Sequence, residues 1–307
     1  MEPPSPAPPE SPESPDLSVG ALVRQAVTRS VGQLLRHDPG ARRGDPDDVH
    51  RFRVGTRRLR SDLGTFRLVL DPEWAKPLRR ELSWLGGEVG AVRDLDVLLE
   101  RLTAQVATLA PVDSTAADSL LGHFRRARVR AHAALQQTLL GQRYTDLLHD
   151  LVTGAETPRF SPPNAALQSG RELGAEVGRG VWETLRQAVD DLPDDPPDEE
   201  LHQVRILAKR CRYAAEAVAP AIGPDAAAFA QAIADLQTVL GDHQDTVLTE
   251  AALRRAADAL PHLAPLAGEL IVRERTDRAR LRAEWPAVWE AAAAEDLRRW
   301  MAPPPPV

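Results

Sequence analysis

A short basic segment with helical spacing occurs twice in this chain, and this duplication constrains the fold more than any other feature. The first copy begins at His50 with the sequence HRFRVGTRRLR, and the second begins at His202 with the sequence HQVRILAKRCR. The copies lie 152 positions apart and align without a gap. Repetition over such a distance indicates two similar halves. Because the shared residues are cationic, both halves are predicted to present positive charge to one polyanionic ligand.

Helical periodicity dominates the chain, and strand patterns are nearly absent. Apolar residues recur at three- and four-residue spacing, with proline and glycine breaks between the segments. One such break is predicted at Asp38-Pro39-Gly40. The expected helices lie at about 17–37, 45–70, 73–108, 112–138, 142–152, 165–190, 197–219, 224–258, 262–284 and 286–299. The predicted fold class is therefore all-α, with two pseudo-symmetric helical bundles.

Changes in composition along the chain predict its domain organisation. Residues 1–16 are proline-rich and acidic and lack the regions of a signal peptide, so a disordered tail is expected. One ordered domain is expected at 17–300, with halves at about 17–153 and 165–300, a proline-rich linker at 154–164 and a second tail at 301–307. No apolar run approaches the length of a membrane span, and the single cysteine, Cys211, fits a reducing compartment. We expect a soluble cytoplasmic protein.

The charge of the chain is concentrated locally. The net charge is −7, so any anion-binding site must be a local cluster of basic residues. All but two of the 38 basic residues are arginine, whose planar fork suits phosphate oxygens and which stays charged at any relevant pH. Between residues 50 and 60 there are five arginines and no acid. This arrangement costs a few tenths of a kcal/mol per like-charged pair, a cost that a polyanion would offset.

The basic residues share one helical face in each copy. Residues at i, i+3, i+7 and i+10 lie on one side of a helix. In the first copy these are His50, Arg53, Arg57 and Arg60, and in the second they are His202, Arg205, Lys209 and Arg212. The alternative interpretation is a surface helix whose arginines pair with acids from neighbouring helices.

A second repeated element follows each basic segment. GAVRDLDV, which contains Asp94, is echoed by GDHQDTV, which contains Asp245. A carboxylate repeated opposite an arginine stripe is expected to orient an arginine through an ion pair. An acid catalyst or a metal ligand is the functional alternative. The glycines of this element are expected to allow close contact between helices.

Other site classes have weaker support in the sequence. Asp47 and Glu199 each precede a histidine by three positions, as in the Glu-x-x-His pairs of di-iron bundles. Acids in a first helical turn favour the helix dipole, however, and the neighbouring arginines would repel a cation. No cofactor or metal is therefore predicted, and no nucleophile or nucleotide-binding motif is present. Nucleic acid is the stronger alternative ligand, although the basic segments contain few aromatic residues for base stacking.

Taken together, these motifs resemble the CHAD family, the conserved-histidine α-helical domain. The shared pattern is H-x-x-R-x-x-x-R-R-x-R in two copies, each followed by its Gly/Asp element, and agreement extends over about 17–300. The resemblance implies two four-helix bundles related by a pseudo-twofold axis, with a basic groove between them that binds inorganic polyphosphate without catalysis. It also implies association with polyphosphate granules. Many members carry a fused triphosphate-tunnel domain with an E-x-E-x-K motif, which is not found here, so a stand-alone copy is expected.

Carrying the family's basic positions onto this sequence predicts the polyphosphate-binding residues. Gln244 stands where the first half has Arg93, so the second half is expected to contribute one charge fewer there. Local charge alone adds Arg126 and Arg130 on the fourth helix, whereas Arg125 and Arg128 are expected on solvated faces. The predicted set is His50, Arg53, Arg57, Arg58, Arg60, Arg93, Arg126, Arg130, His202, Arg205, Lys209, Arg210 and Arg212. A metal-dependent phosphohydrolase is the less favoured catalytic alternative.

Overall fold

The computed structural model describes residues 17–108 and 114–302, and within these ranges the chain is helical apart from short connections. Three short 3-10 helices occupy Pro163–Leu167, Pro261–Leu263 and Glu295–Met301. The nine α-helices of the described residues are α1 (Val19–Arg43), α2 (Pro46–Thr65), α3 (Pro72–Ala107), α4 (Ser114–Leu140), α5 (Gln142–Glu156), α6 (Gly170–Asp190), α7 (Asp198–Ile222), α8 (Pro224–Ala259) and α9 (Ala264–Ala292). The predicted all-α class is confirmed. None of these helices has the length and apolar character needed to cross a bilayer.

The predicted break at Asp38-Pro39-Gly40 is wrong, because α1 continues through it to Arg43. Gly40 is buried against the side chain of Asp48, so tertiary packing overrides the local preference of proline and glycine to end a helix. An ion pair between Asp38 and Arg42 (2.8 Å) spans the same turn. The helix ends instead at Gly44, whose φ of 82° gives a left-handed cap.

Other predicted boundaries also differ from the structure, including the end of α2 at Thr65 and the start of α6 at Gly170. A single helix, α9, passes through Pro286 where two helices were expected, because tryptophans on either side of this proline pack against the second-half core. The first half ends later than predicted, since α5 extends to Glu156. Met301 is buried in a 3-10 helix and is not part of a tail. The tail predicted at 1–16 lies outside the described residues, as do residues 303–307 of the tail predicted at 301–307.

Each helix packs against the next one along the chain within its half. The order of contact is α1–α2–α3–α4 in the first half and α6–α7–α8–α9 in the second, with α5 returning to α1. Two apolar clusters cross between the halves. One contains most of the first-half core together with Val218 and Ile222 of α7, and the other joins Leu102 of α3 to Leu253 and Leu270 of α8 and α9. The halves are therefore joined at two junctions, one at each end.

The starts of α1 and α6 are bound to each other by reciprocal main-chain hydrogen bonds. The N–H of Val19 donates to the carbonyl of Gln168 (2.9 Å), and the N–H of Gly170 donates to the carbonyl of Leu17 (2.8 Å). Ser18 and Ser169, 151 positions apart, each cap their own helix through the side-chain oxygen. Reciprocal contact of equivalent positions is the local geometry of a twofold axis. The twofold relation of the complete halves stays a prediction.

Candidate functional site

The two repeated basic helices, α2 and α7, are in direct contact. Burial fixes their orientation. On α2 the side chains of Phe52 and Leu59 are fully buried, as are Ala208 and Cys211 on α7. The basic residues one or two positions away therefore lie on the two helix faces that meet between the halves. Arginines of α2 accordingly lower the pKa of basic residues on α7. We call the resulting surface the cationic groove, defined by His50, Arg53, Arg57, Arg60, Arg93, His202, Arg205 and Lys209.

Each half places an arginine of the groove over a glycine of the following helix. Arg53 Nη1 donates to the carbonyl of Gly90 (3.0 Å) and to Asp94 Oδ1 (2.7 Å). A Cβ added at Gly90 would lie 3.2 Å from that guanidinium, and one added at Gly241 would lie 3.4 Å from Arg205 Nε. The repeated glycines thus leave room for arginine side chains. The expected ion pair between Asp94 and an arginine is present, but the carboxylate is 63% exposed; the orienting role stays a prediction.

Two guanidinium N–H groups in the groove are buried without a hydrogen-bond partner. They belong to Arg57 Nε and Arg205 Nε, and His202 Nδ1 is in the same state within the described part of the chain. In folded proteins nearly all buried polar groups are paired, because an unpaired one loses its hydration without compensation. Each half therefore contributes one buried guanidinium N–H that has no hydrogen-bond acceptor among the described residues.

The positive charges of the groove repel one another, and this repulsion adds to burial in lowering the pKa values of Lys209 and Arg205. Burial, followed by Arg205, Arg57 and Arg53, lowers the pKa of the Lys209 ammonium to about 7. Burial also lowers the pKa of Arg205, and the positive charges of Arg57 and Arg53 act in the same direction. Asp245 opposes both shifts through its negative charge. The groove thus holds more positive charge than its own carboxylates neutralise.

The same imbalance extends to both ends of α2. Near its start, burial and then Arg93, Arg57 and Arg53 lower the pKa of His50. Towards its end, burial lowers the pKa of Arg60, with further contributions from Arg79, Arg210 and Arg57. Positive charge is thus continuous along the whole helix.

Arg79 of α3 belongs to this surface, and the sequence analysis missed it. A Cβ added at Gly64, near the end of α2, would lie 3.3 Å from the Arg79 guanidinium. Burial is the largest cause that lowers the pKa of Arg60, and the charge of Arg79 lowers it further. Helical spacing contained the information, because Arg79 lies fourteen residues before Arg93, on the same face of α3. Ser83, on that face, accepts a hydrogen bond from Arg60 Nη1 (3.0 Å).

Two of the predicted binding residues are held in an ion-paired cluster at the contact between α2 and α7. Glu216 of α7 binds Arg58 of α2 (2.5 Å) and Arg212 of its own helix (2.7 Å). The ring of Tyr213 lies beneath the guanidinium carbons of Arg57, Arg58 and Arg212, at 5.4, 5.9 and 5.8 Å from its centroid. Arg58 therefore joins the halves in this structure and Arg212 is held within α7, whereas Arg57 forms no ion pair among the described residues and contacts the ring of Tyr213.

The arginines of α4 are not divided into ligand-binding and solvated residues in the way that the sequence predicts. Arg128, expected on a solvated face, binds Asp96 Oδ1 through Nε (2.5 Å) and the carbonyl of Gly44 through Nη2 (2.7 Å). This is a correction: Arg128 ties α4 to α3 and to the α1–α2 turn, because Asp96 is buried and requires a cation. Arg125, Arg126 and Arg130 are all exposed. Arg210 of α7 is exposed as well and acts on Arg60 across the groove.

The carboxylates near the groove are too few and too dispersed for a metal centre. Burial raises the pKa of Asp245, with Arg205 opposing the shift and Asp242 adding to it. Among the residues that the structure describes, no group of three or more histidine, cysteine or acidic side chains could hold a metal ion. Asp245 makes no hydrogen bond to Arg205 in this part of the chain, so it acts on the groove through its charge alone.

Comparisons with known proteins agree with the motifs in the sequence. The family model described as the CHAD domain matches residues 25–254. Two curated relatives from strains of Mycobacterium tuberculosis, the uncharacterized proteins MT2285 and Rv2226, are each 32% identical over 249 residues. These matches cover 77% of this chain but only 46% of each relative, so the chain spans less than half of their length.

Two solved structures have a similar fold. PptA from Streptomyces chartreusis superposes with a TM-score of 0.74 at 24% identity and covers 89% of this chain and 99% of its own. The crystal structure of the CHAD domain from the plant Ricinus communis gives a TM-score of 0.73 at 26% identity, covering 91% of this chain and 93% of its own. The arrangement of helices is therefore shared over nearly the whole described chain.

Proposed function

The chain belongs to the CHAD domain family, and from this premise we propose that it binds inorganic polyphosphate in the cationic groove without turning it over. The resemblance on which this rests implies polyphosphate as the family's ligand. The observation that supports it most directly is the pair of buried, unpartnered Nε donors of Arg57 and Arg205, one from each half. A linear chain of phosphates passing between α2 and α7 would offer an acceptor to both.

The energetics of the groove favour an anionic ligand. A buried donor without a partner costs about 1–3 kcal/mol, whereas a hydrogen bond to a charged group contributes about 1.5–3 kcal/mol. Burial and then the neighbouring arginines lower the pKa of Lys209 to about 7, and the repulsion among these like charges further destabilises the ligand-free groove. A phosphate chain relieves both effects, since its oxygens accept from the guanidinium groups and its charges neutralise them.

Nucleic acid is the second candidate, and one feature of the site disfavours it. Single-stranded nucleic acids bind by stacking bases on aromatic side chains. Tyr213, the aromatic residue of this surface, is 4% exposed and lies beneath three guanidinium groups, so its ring is not accessible to a base. A thin chain of phosphates has no bases to accommodate. Cytoplasmic location and association with polyphosphate granules belong to the same proposal and rest on the family resemblance alone.

The groove offers no arrangement suited to phosphate hydrolysis. Metal-assisted hydrolysis needs carboxylates that hold a cation beside the phosphate. On the first-half side, the carboxylate of Asp94 is bound to Arg53. We therefore propose a binding protein that leaves the chain length of polyphosphate unchanged.

The proposal is tested by comparing Arg57→Ala and Arg205→Ala with the wild type. Isothermal titration against long polyphosphate at fixed salt should show a loss of about 10- to 100-fold in each variant, the equivalent of one charge-assisted hydrogen bond. Arg125→Ala is the matched control, because Arg125 is exposed and forms no ion pair in the described chain. Thermal unfolding should be unchanged or slightly raised in both groove variants, since each removes a like charge.

Two further measurements distinguish polyphosphate binding from nucleic-acid binding and from catalysis. Single-stranded DNA at equal phosphate concentration should compete poorly with polyphosphate at physiological salt; equal competition would favour the nucleic-acid alternative. Release of orthophosphate or shortening of the polyphosphate chains would show that the protein is an enzyme and not a binding protein. If Arg205→Ala binds long polyphosphate like the wild type, the two helices do not share one ligand and the proposed site is wrong.

A further inference from the structure

A second basic surface lies between α1 and α2, outside the cationic groove. It is an open depression of about 640 Å³. Its positive charge comes from Arg29 and Arg36 of α1 and from Arg51 of α2, with His50 beside them, and no carboxylate lines it. The remaining titratable side chain of its lining, His37, is bound to Asp48 through Nδ1 (2.7 Å). We call this surface the α1–α2 depression.

The arginines of the depression form no ion pair with the described part of the chain. Arg29, Arg36 and Arg51 are exposed, and none forms an ion pair or a hydrogen bond within the described chain. Elsewhere in the molecule arginines are commonly paired, as Arg58 and Arg128 are. Arg29 acts on the buried carboxyl group of Asp62 through its charge alone. Three guanidinium groups without ion pairs around one concave surface, in a chain of net charge −7, constitute a local anion-binding surface.

Gly32 keeps the floor of the depression open. It lies in the interior of α1, where glycine costs about 1 kcal/mol relative to alanine. A Cβ added there would meet no atom within 4 Å, so helix packing does not require the glycine. Its position is explained by the space that it leaves between the arginines.

The second half does not repeat the basic residues that line this surface. The capping residues Ser18 and Ser169 set the correspondence between α1 and α6 at 151 positions. At the corresponding places α6 has small or uncharged residues and one acid, and α7 has a glutamine in place of Arg51. The residues that replace Arg29, Gly32, Arg36 and Arg51 are Gly180, Glu183, Gln187 and Gln203. The same fold is therefore built without these arginines, which indicates that they serve a ligand and not the scaffold.

His50 connects the depression to the cationic groove. Its side chain lines the depression, and it is close enough to Arg93, Arg57 and Arg53 for their charges to act on it. Positive charge thus continues from the groove past His50 to Arg51 and α1. The α2 residues of the depression lie beside those of the groove on the helix surface.

We infer that the α1–α2 depression is a second phosphate subsite, which holds the continuation of the polyphosphate chain beyond the groove. This inference rests on the proposed function, because the same polymer occupies both surfaces. A chain of three phosphates occupies the groove alone, whereas a long chain passes His50 and reaches Arg29, Arg36 and Arg51. The depression therefore gives the protein a preference for long chains.

The experiment measures the affinities for tripolyphosphate and for long polyphosphate by titration at fixed salt. In the variant Arg29→Gln/Arg36→Gln/Arg51→Gln, long-chain affinity should fall at least about tenfold and its salt dependence should weaken, because fewer phosphate charges are neutralised. Tripolyphosphate affinity should change less than about twofold. The matched control is Arg125→Gln/Arg159→Gln/Arg255→Gln, which removes the same charge from exposed arginines without ion pairs in the described chain.

A second variant, Gly32→Trp, blocks the depression without changing the charge. It should lower long-chain affinity and leave tripolyphosphate binding intact. An equal loss for both ligands in the arginine variant, an equal loss in the control, or unchanged long-chain binding in either depression variant would overturn the subsite. Failure of the proposed function is seen separately, in the wild type: if it binds neither ligand, both the groove and the depression are wrong.

Discussion

Lys209 should make polyphosphate binding dependent on pH around neutrality, and Lys209→Arg should remove that dependence. Burial and then Arg205, Arg57 and Arg53 lower the pKa of the Lys209 ammonium from 10.5 to about 7. A bound phosphate chain places negative charge in the same groove and raises this pKa again. Because the pKa is higher in the complex than in the free protein, binding takes up a proton.

The sign and size of the effect follow from this difference. Below pH 7 Lys209 is already protonated in the free protein, so affinity is highest there. As the pH rises above 7, the free protein loses the proton while the complex retains it, and affinity falls by up to about tenfold per pH unit. Between about pH 6.5 and 8.5 the expected loss is roughly 20-fold. Arginine remains charged over this range, so the variant should show almost no slope.

The assay is a series of titrations of long polyphosphate from pH 6.5 to 8.5 at constant ionic strength. The interior phosphates of a long chain stay ionised throughout, so the slope reports on the protein. The pKa of His50 is lowered from 6.5 by burial and by neighbouring arginines, so its titration falls below this range. Lys209→Met should also bind without a slope, but more weakly than Lys209→Arg at every pH. A flat wild-type profile, or an unchanged slope in Lys209→Arg, would refute the reasoning.

Three other substitutions test neighbouring features. Glu216→Gln should release its two arginines, raising polyphosphate affinity severalfold while lowering the unfolding free energy by about 1–3 kcal/mol in urea; lower affinity would contradict this. Arg128→Ala leaves buried Asp96 unpaired and should cost about 3 kcal/mol of stability with affinity unchanged; an unchanged urea midpoint would count against it. Burial raises the pKa of Asp62 from 3.8 to about 6, so the folded state holds this proton more tightly than the unfolded state does. As the pH rises from about 4 to 7, the stability of the wild type should therefore fall relative to Asp62→Asn, by on the order of 3 kcal/mol. Parallel pH profiles of stability for the two proteins would refute this prediction.

Most of the fold could be predicted because apolar periodicity is a local property of the sequence. The helix starts at Asp45 and Asp71 are examples, since each aspartate caps its helix through a side-chain oxygen. The failures occur at Pro39 and Pro286, where a local rule predicts a break. Packing against other helices holds α1 and α9 together at both places, and the sequence gives no direct measure of that packing.

The candidate site shows the same division between local and tertiary information. The spacing of the repeat was enough to place Arg57 and Arg205 on faces that meet, because helical geometry determines which residues share a side. It could not show that Arg58 is bound by Glu216, which comes from a helix more than 130 residues away. Nor could it show the role of Arg128, whose partners are 32 and 84 residues away.

The two apolar junctions between the halves have a consequence for the thermodynamics of ligand capture. Val218 and Ile222 close one end of the interface, and Leu102, Leu253 and Leu270 close the other. Helices α2 and α7 cannot separate without exposing one of these cores. The helices that carry the arginines are therefore held in position before any ligand arrives. The loss of conformational entropy on binding then falls mainly on the flexible polymer and little on the protein. For the proposed polyphosphate ligand, binding strength would then depend on how many phosphates the preorganised surface can order.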